Sequence, residues 1–98
     1  MYIVDRPANQ KIGGRQMYIK IVSYGGWGTL IPASKITWGP ALKSDADKVD
    51  GDKFYVNDTQ ELGEITHILA DDKNYWVDVT RHTIYLLGED GQTVDRIP

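Results

Sequence analysis

Hydrophobic and polar positions alternate most cleanly between Gln16 and Tyr24, with Met17, Ile19 and Ile21 on one side and Tyr18, Lys20, Val22 and Tyr24 on the other. A period of two is the signature of a half-buried strand, because successive side chains of an extended backbone point to opposite faces. Shorter runs at Tyr2–Asp5, Thr29–Ile31, Ile36–Trp38, Lys53–Val56, Tyr75–Val79, Thr83–Leu87 and Gln92–Ile97 read the same way. Breakers separate them. Arg6-Pro7 stops the first run, and proline supplies no ladder donor. Ala8–Arg15, with Gly13-Gly14, reads as a polar connection, Gly25-Gly26-Trp27-Gly28 as a tight turn, and Gly39–Gly51 as a loop. In the back half, polar turns at Asp71–Asn74, Thr80-Arg81-His82 and Glu89-Asp90-Gly91 predict an antiparallel meander.

After Asn57 the period changes. Leu62, Ile65, Ile68 and Leu69 form a helical stripe, and Asp58 with Glu61 fits a capping box. The pattern predicts one short helix near residues 59–70, against which Gly63 and the β-branched Ile65 and Thr66 leave a strand over Ile65–Ala70 as the rival. The expected fold is therefore α+β, a small single domain over residues 1–98 dominated by an antiparallel sheet. An all-β barrel or sandwich is the alternative.

Composition narrows the class. In 98 residues, 41% are hydrophobic, which is enough for one compact core and too much for a disordered chain. There is no cysteine, so neither a disulfide framework nor a thiolate metal site can form. Met1–Lys20 holds no long apolar run of the signal-peptide kind, and no stretch is long enough to span a membrane, so a cytoplasmic protein without membrane contact is expected.

Charge adds an asymmetry. Residues 1–44 hold six basic groups and one acid (+5), and residues 45–98 hold five basic groups and thirteen acids (−8), which together give the net −3. A field divided in this way can steer a charged partner. On the basic side, Tyr18, Lys20 and Tyr24 share one strand face, with Arg15 before them and Trp27 after. Cations and stacking rings are what nucleic acid requires, which makes a basic-aromatic face around residues 15–27 one candidate interface.

Tryptophan points to a second class. Trp38 shares parity with Ile36 and is expected in the core, whereas Trp76 lies opposite Tyr75, Val77 and Val79 and is expected on the surface. Trp27 and Trp76 would then anchor a protein partner, as exposed tryptophans commonly do, with the acidic turns Asp71-Asp72 and Glu89-Asp90 as further contacts. The aspartates Asp45, Asp47, Asp50 and Asp52 suggest a calcium loop. Counted from Asp45, however, the glycine falls one residue late and Val56 stands where an EF-hand needs glutamate. His67 and His82 are the only histidines, and no serine lies in a nucleophile elbow, so no catalytic constellation is expected.

The order of elements, with strands into Ile31-Pro32 and Ile36, an aromatic strand at Phe54–Val56 and a helix at Thr59–Ala70, loosely resembles the LytTR-type DNA-binding domain. That resemblance implies a mainly β fold reading DNA through loops. Asp71-Asp72-Lys73-Asn74 departs from it, since a DNA reader needs basic residues after the helix. The leading expectation is a non-enzymatic, cofactor-free acidic interaction or regulatory module, of the accessory or phage-type inhibitor kind, that binds another protein. Nucleic-acid binding is the alternative, through Arg15, Tyr18, Lys20, Tyr24 and Trp27.

Overall fold

The computed structural model describes residues 10–12, 15–26, 28–56 and 64–97. The expected strand at Tyr2–Asp5, the start of the expected helix and Trp27 lie outside them. Along the described chain run β1 (Gln10–Ile12), β2 (Met17–Ser23), β3 (Gly28–Ala33), β4 (Ile36–Ala41), α1 (Lys43–Lys48), β5 (Asp52–Phe54), β6 (Ile65–Ala70), β7 (Lys73–Asp78), β8 (His82–Leu87) and β9 (Thr93–Ile97). The strands divide into a five-stranded sheet, β1-β4-β6-β7-β5, and a four-stranded sheet, β3-β2-β8-β9. Every pairing is antiparallel except β5 with β7. The domain is thus α+β and dominated by antiparallel strands, as its patterning predicts.

Parity in β2 holds residue by residue. Met17, Ile19 and Ile21 are buried, Lys20 is exposed, and Tyr18 and Val22 are half-buried. The buried set joins Ile31, Ala33, Ile84, Leu86 and Ile97 of its own sheet to Ile36, Trp38, Ile68, Ala70, Tyr75 and Val77 of the other, forming one core between the two sheets. Each aliphatic side chain fully enclosed there contributes about 1.5–3 kcal/mol. Pro32 stands opposite Tyr18 on β3, which among the described residues is an edge strand, so its outer side has no ladder there for proline to break.

Three expectations need correction. Ile65–Ala70 forms a strand, not the end of a helix. The strand lies between β4 and β7, and both of its faces are covered: Thr66, Ile68 and Ala70 point one way, and the buried Ile65 points the other. A strand enclosed on both sides loses its strict alternation and imitates a helical stripe. The helix lies instead within the expected loop, at Lys43–Lys48, where Asp45 Oδ2 accepts from the Leu42 amide (3.0 Å) and Lys43 pairs with Asp47 (2.8 Å). Two of the four supposed calcium ligands are therefore helix residues with partners. Gln10–Ile12 is also a strand, although its segment reads as a connection.

The meander is broken as well, because the chain changes sheet between β7 and β8. The Asp78 carboxylate holds that crossing: its Oδ1 accepts from the Thr80 amide (2.9 Å) and hydroxyl (2.6 Å). A second crossing joins β3 to β4 through Ser34-Lys35. There the Asp71 carboxylate accepts from the Lys35 amide (2.9 Å), the Ser34 amide (3.1 Å) and the Ser34 hydroxyl (3.0 Å). The Asp71 amide in turn donates to the Lys35 carbonyl (2.7 Å).

These donors, the Lys35 amide first and then the Ser34 hydroxyl, hold the Asp71 carboxyl below its ordinary value. A depressed folded value means that the clasp contributes fully above the unfolded value and is lost as pH falls through the folded one. The carboxylate is exposed, so the effect is modest. Measured by urea titration, the stability gap between wild type and Asp71→Asn should be present at neutral pH and close as pH falls below about 4. A gap that did not vary with pH would contradict this assignment.

Candidate functional site

The expected site residues separate into three places. Tyr18 and Lys20 lie on the outward face of the four-stranded sheet, where register brings Leu30 and Tyr85 opposite Lys20, and Arg96 opposite Tyr85. Leu30 is 56% exposed, beside the exposed Lys20, Pro32 and Arg96. No carboxylate occupies an outward register position of β2, β3, β8 or β9. This face is therefore apolar and aromatic with two cations. Arg15 sits at its end with Glu89 at 3.8 Å, an exposed pair that offsets its charge.

Trp76 does not belong to any surface. It is 2% exposed, on the other sheet's outer face, packed with Ala46 of α1 and Ile65 and flanked by Ala41 and Val56. His67 stacks on it with ring centroids 4.1 Å apart, and His67 Nε2 donates to Asn74 Oδ1 at 2.8 Å. Parity placed Trp76 correctly opposite Tyr75 and Val77. The helix that covers that face is what the sequence reading lacked. The acidic turns are also engaged internally, Asp71 as above, Glu89 with Arg15, and Asp90 Oδ1 with the Gln92 amide (3.0 Å).

Tyr24 falls beyond the end of β2 and lines an open cleft of about 270 Å³ with Ser23, Gly25, Tyr55, Arg81 and His82. Register places Ser23 directly opposite His82 on the inward side of the four-stranded sheet. Phe54 meets the His82 ring edge-on (5.9 Å) and Tyr55 stacks over it (5.6 Å, 19°). Tyr55 adopts φ +52°, a left-handed conformation that costs a non-glycine residue about 1 kcal/mol. His82 Nδ1 lies 3.1 Å from the Asp78 carbonyl. His82 Nε2 and Ser23 Oγ are buried and, among the described residues, have no hydrogen-bond partner, so they do not bond each other. Arg81 borders the cleft with Nε 3.6 Å from Asp78 Oδ2.

Sequence reasoning missed Leu30, Tyr85 and Arg96 on the face, and Ser23, Tyr55, Arg81 and His82 in the cleft. Strand pairing between distant segments assembles both groups, and no local motif marks it. Among the described residues no group of three or more His, Cys, Asp or Glu side chains could hold a metal, and no helix is long and apolar enough to cross a membrane. No protein-family model, curated protein or solved structure matches this chain. The strand at Ile65–Ala70 also removes the helix on which the LytTR-like order depended.

Proposed function

We propose that this domain is a non-enzymatic binding module that docks a partner protein on the outward face of its four-stranded sheet. One observation carries the reading: Tyr18, Val22, Leu30 and Tyr85 gather around Lys20 and Arg96 with no carboxylate among the outward register positions. The partner this chemistry fits presents an apolar centre rimmed by carboxylates. Aromatic and apolar groups supply the contact energy of such an interface, and charge complementarity supplies its orientation and speed of association. Two cations among the described residues, with Arg15 offset by Glu89, favour a protein over a polyanion, since nucleic-acid affinity grows with each phosphate neutralised.

The test is affinity capture followed by binding measurements on the captured polypeptide. Lys20→Glu combined with Arg96→Glu should weaken that binding by about tenfold or more, while Lys53→Glu, on β5 of the other sheet, should not. Capture unaffected by the double reversal would reject the reading. A salt-sensitive mobility shift with an oligonucleotide, abolished by the same reversal, would replace it with the nucleic-acid alternative.

A further inference from the structure

The cleft at the end of β2 lies apart from the proposed docking face, and its chemistry is of another kind. A carbonyl oxygen only accepts hydrogen bonds, so His82 Nδ1, 3.1 Å from the Asp78 carbonyl, must carry its proton. In the neutral ring Nε2 is then a bare acceptor. Among the described residues it has no partner, on a side chain that is 3% exposed, and neither has the Ser23 hydroxyl on the residue opposite in register. Buried polar atoms without partners are uncommon in folded proteins, and each calls for an explanation.

The rest of the lining supplies one. Tyr24 and Tyr55 are 71% and 57% exposed, so they offer ring surface at the mouth, and Tyr55 is held over His82 in its left-handed conformation. Arg81 adds a guanidinium at the same mouth, its side chain 56% exposed and its Nε 3.6 Å from Asp78 Oδ2. A volume of about 270 Å³ falls just below the range of drug-sized pockets, which suits one ring in place of two.

We propose that the cleft binds a small planar-ring compound bearing an O–H or N–H donor at its inner end and an anionic group at its outer end. The donor satisfies His82 Nε2, the ring lies against the tyrosines, and the anion faces Arg81. Phenolic acids and nucleoside monophosphates share this chemistry.

Amide chemical shifts of the whole chain, followed during titration, test the proposal. The probes are para-hydroxyphenylacetate, phenylacetate, uridine monophosphate and inorganic phosphate. Saturable shifts centred on residues 23–25, 55 and 81–82 are expected with para-hydroxyphenylacetate or uridine monophosphate, and whichever binds identifies the source. Phenylacetate, which leaves the buried acceptor unpaired, should bind about tenfold more weakly than its hydroxylated form or not at all. Tyr24→Ala and Tyr55→Ala, both at exposed positions, should each weaken binding about fivefold while the protein stays folded. Four results would overturn the proposal: no ring compound shifting these amides at millimolar concentration, phosphate alone shifting them equally, phenylacetate matching its hydroxylated form, or tyrosine variants binding as wild type does.

Discussion

Replacing Trp76 with alanine should destabilise the domain by about 3–5 kcal/mol, the range for deleting a large aromatic side chain from a core. Its indole is the bulk of the small cluster that joins α1 to the five-stranded sheet, with Ala46 and Ile65 as buried neighbours. A six-residue helix has too few turns to stand without packing, so the loss should free α1 along with the tryptophan. Chemical denaturation measures the first effect, and amide exchange at Ala46 and its neighbours measures the second. Trp76→Phe should lose much less. It keeps most of the ring area against His67 and removes an indole N–H that has no hydrogen-bond partner among the described residues. If Trp76→Ala instead left stability unchanged and abolished partner capture, the surface role expected from its parity would be restored and the packing argument would fail.

That contrast shows where the sequence could be read and where it could not. Parity in β2 needs only the pleat, and all three aliphatic positions, Met17, Ile19 and Ile21, are buried as the alternation requires. Parity also assigned Trp76 to the correct side of its strand. It could not say whether that side is wet, because the cover comes from α1, a helix in a segment whose glycines, proline and aspartates suggested a loop. The misreading of Ile65–Ala70 has the same origin, for Ile65 is buried beneath α1's side of the sheet and Ile68 between the sheets. Two opposite cores leave one apolar pattern, and spacing alone cannot divide it.

The candidate sites were legible only in part, for a related reason. Lys20 and Tyr18 were placed on the correct face, but the face becomes apolar and free of acids only when β3, β8 and β9 are set beside β2. Charge did not divide as the halves of the sequence suggested: Arg96 from the acidic half joins Lys20, and Glu89 from the same half offsets Arg15. Tyr24 was read as a member of that face, yet β2 ends at Ser23, and the turn carries its ring to the cleft. The sheet crossings at Ser34-Lys35 and after Asp78 rest on side-chain clasps from distant or neighbouring residues, which no periodicity reports.

Gly51→Ala should destabilise the domain by about 1–3 kcal/mol, as forcing extra volume into a packed site does. A Cβ at this position would lie 2.5 Å from the Asn74 carbonyl oxygen and 2.9 Å from the Asn74 Cβ. The first contact is with backbone, so trimming the Asn74 side chain cannot relieve it, and the Asn74→Ala background should not rescue the variant. What can yield is β5, three residues long and, among the described residues, an edge strand paired only with β7. Its displacement would carry Phe54 and Tyr55 away from the His82 ring, whose proton resonances the ring currents of both neighbours should shift. The expected result is therefore a double one: a lower denaturation midpoint, and His82 resonances moved toward their positions in an unstacked ring. Wild-type stability with an unmoved His82 spectrum would mean that the chain absorbs the methyl group elsewhere, and that the close approach of Gly51 to β7 does not set the position of Tyr55 over the cleft.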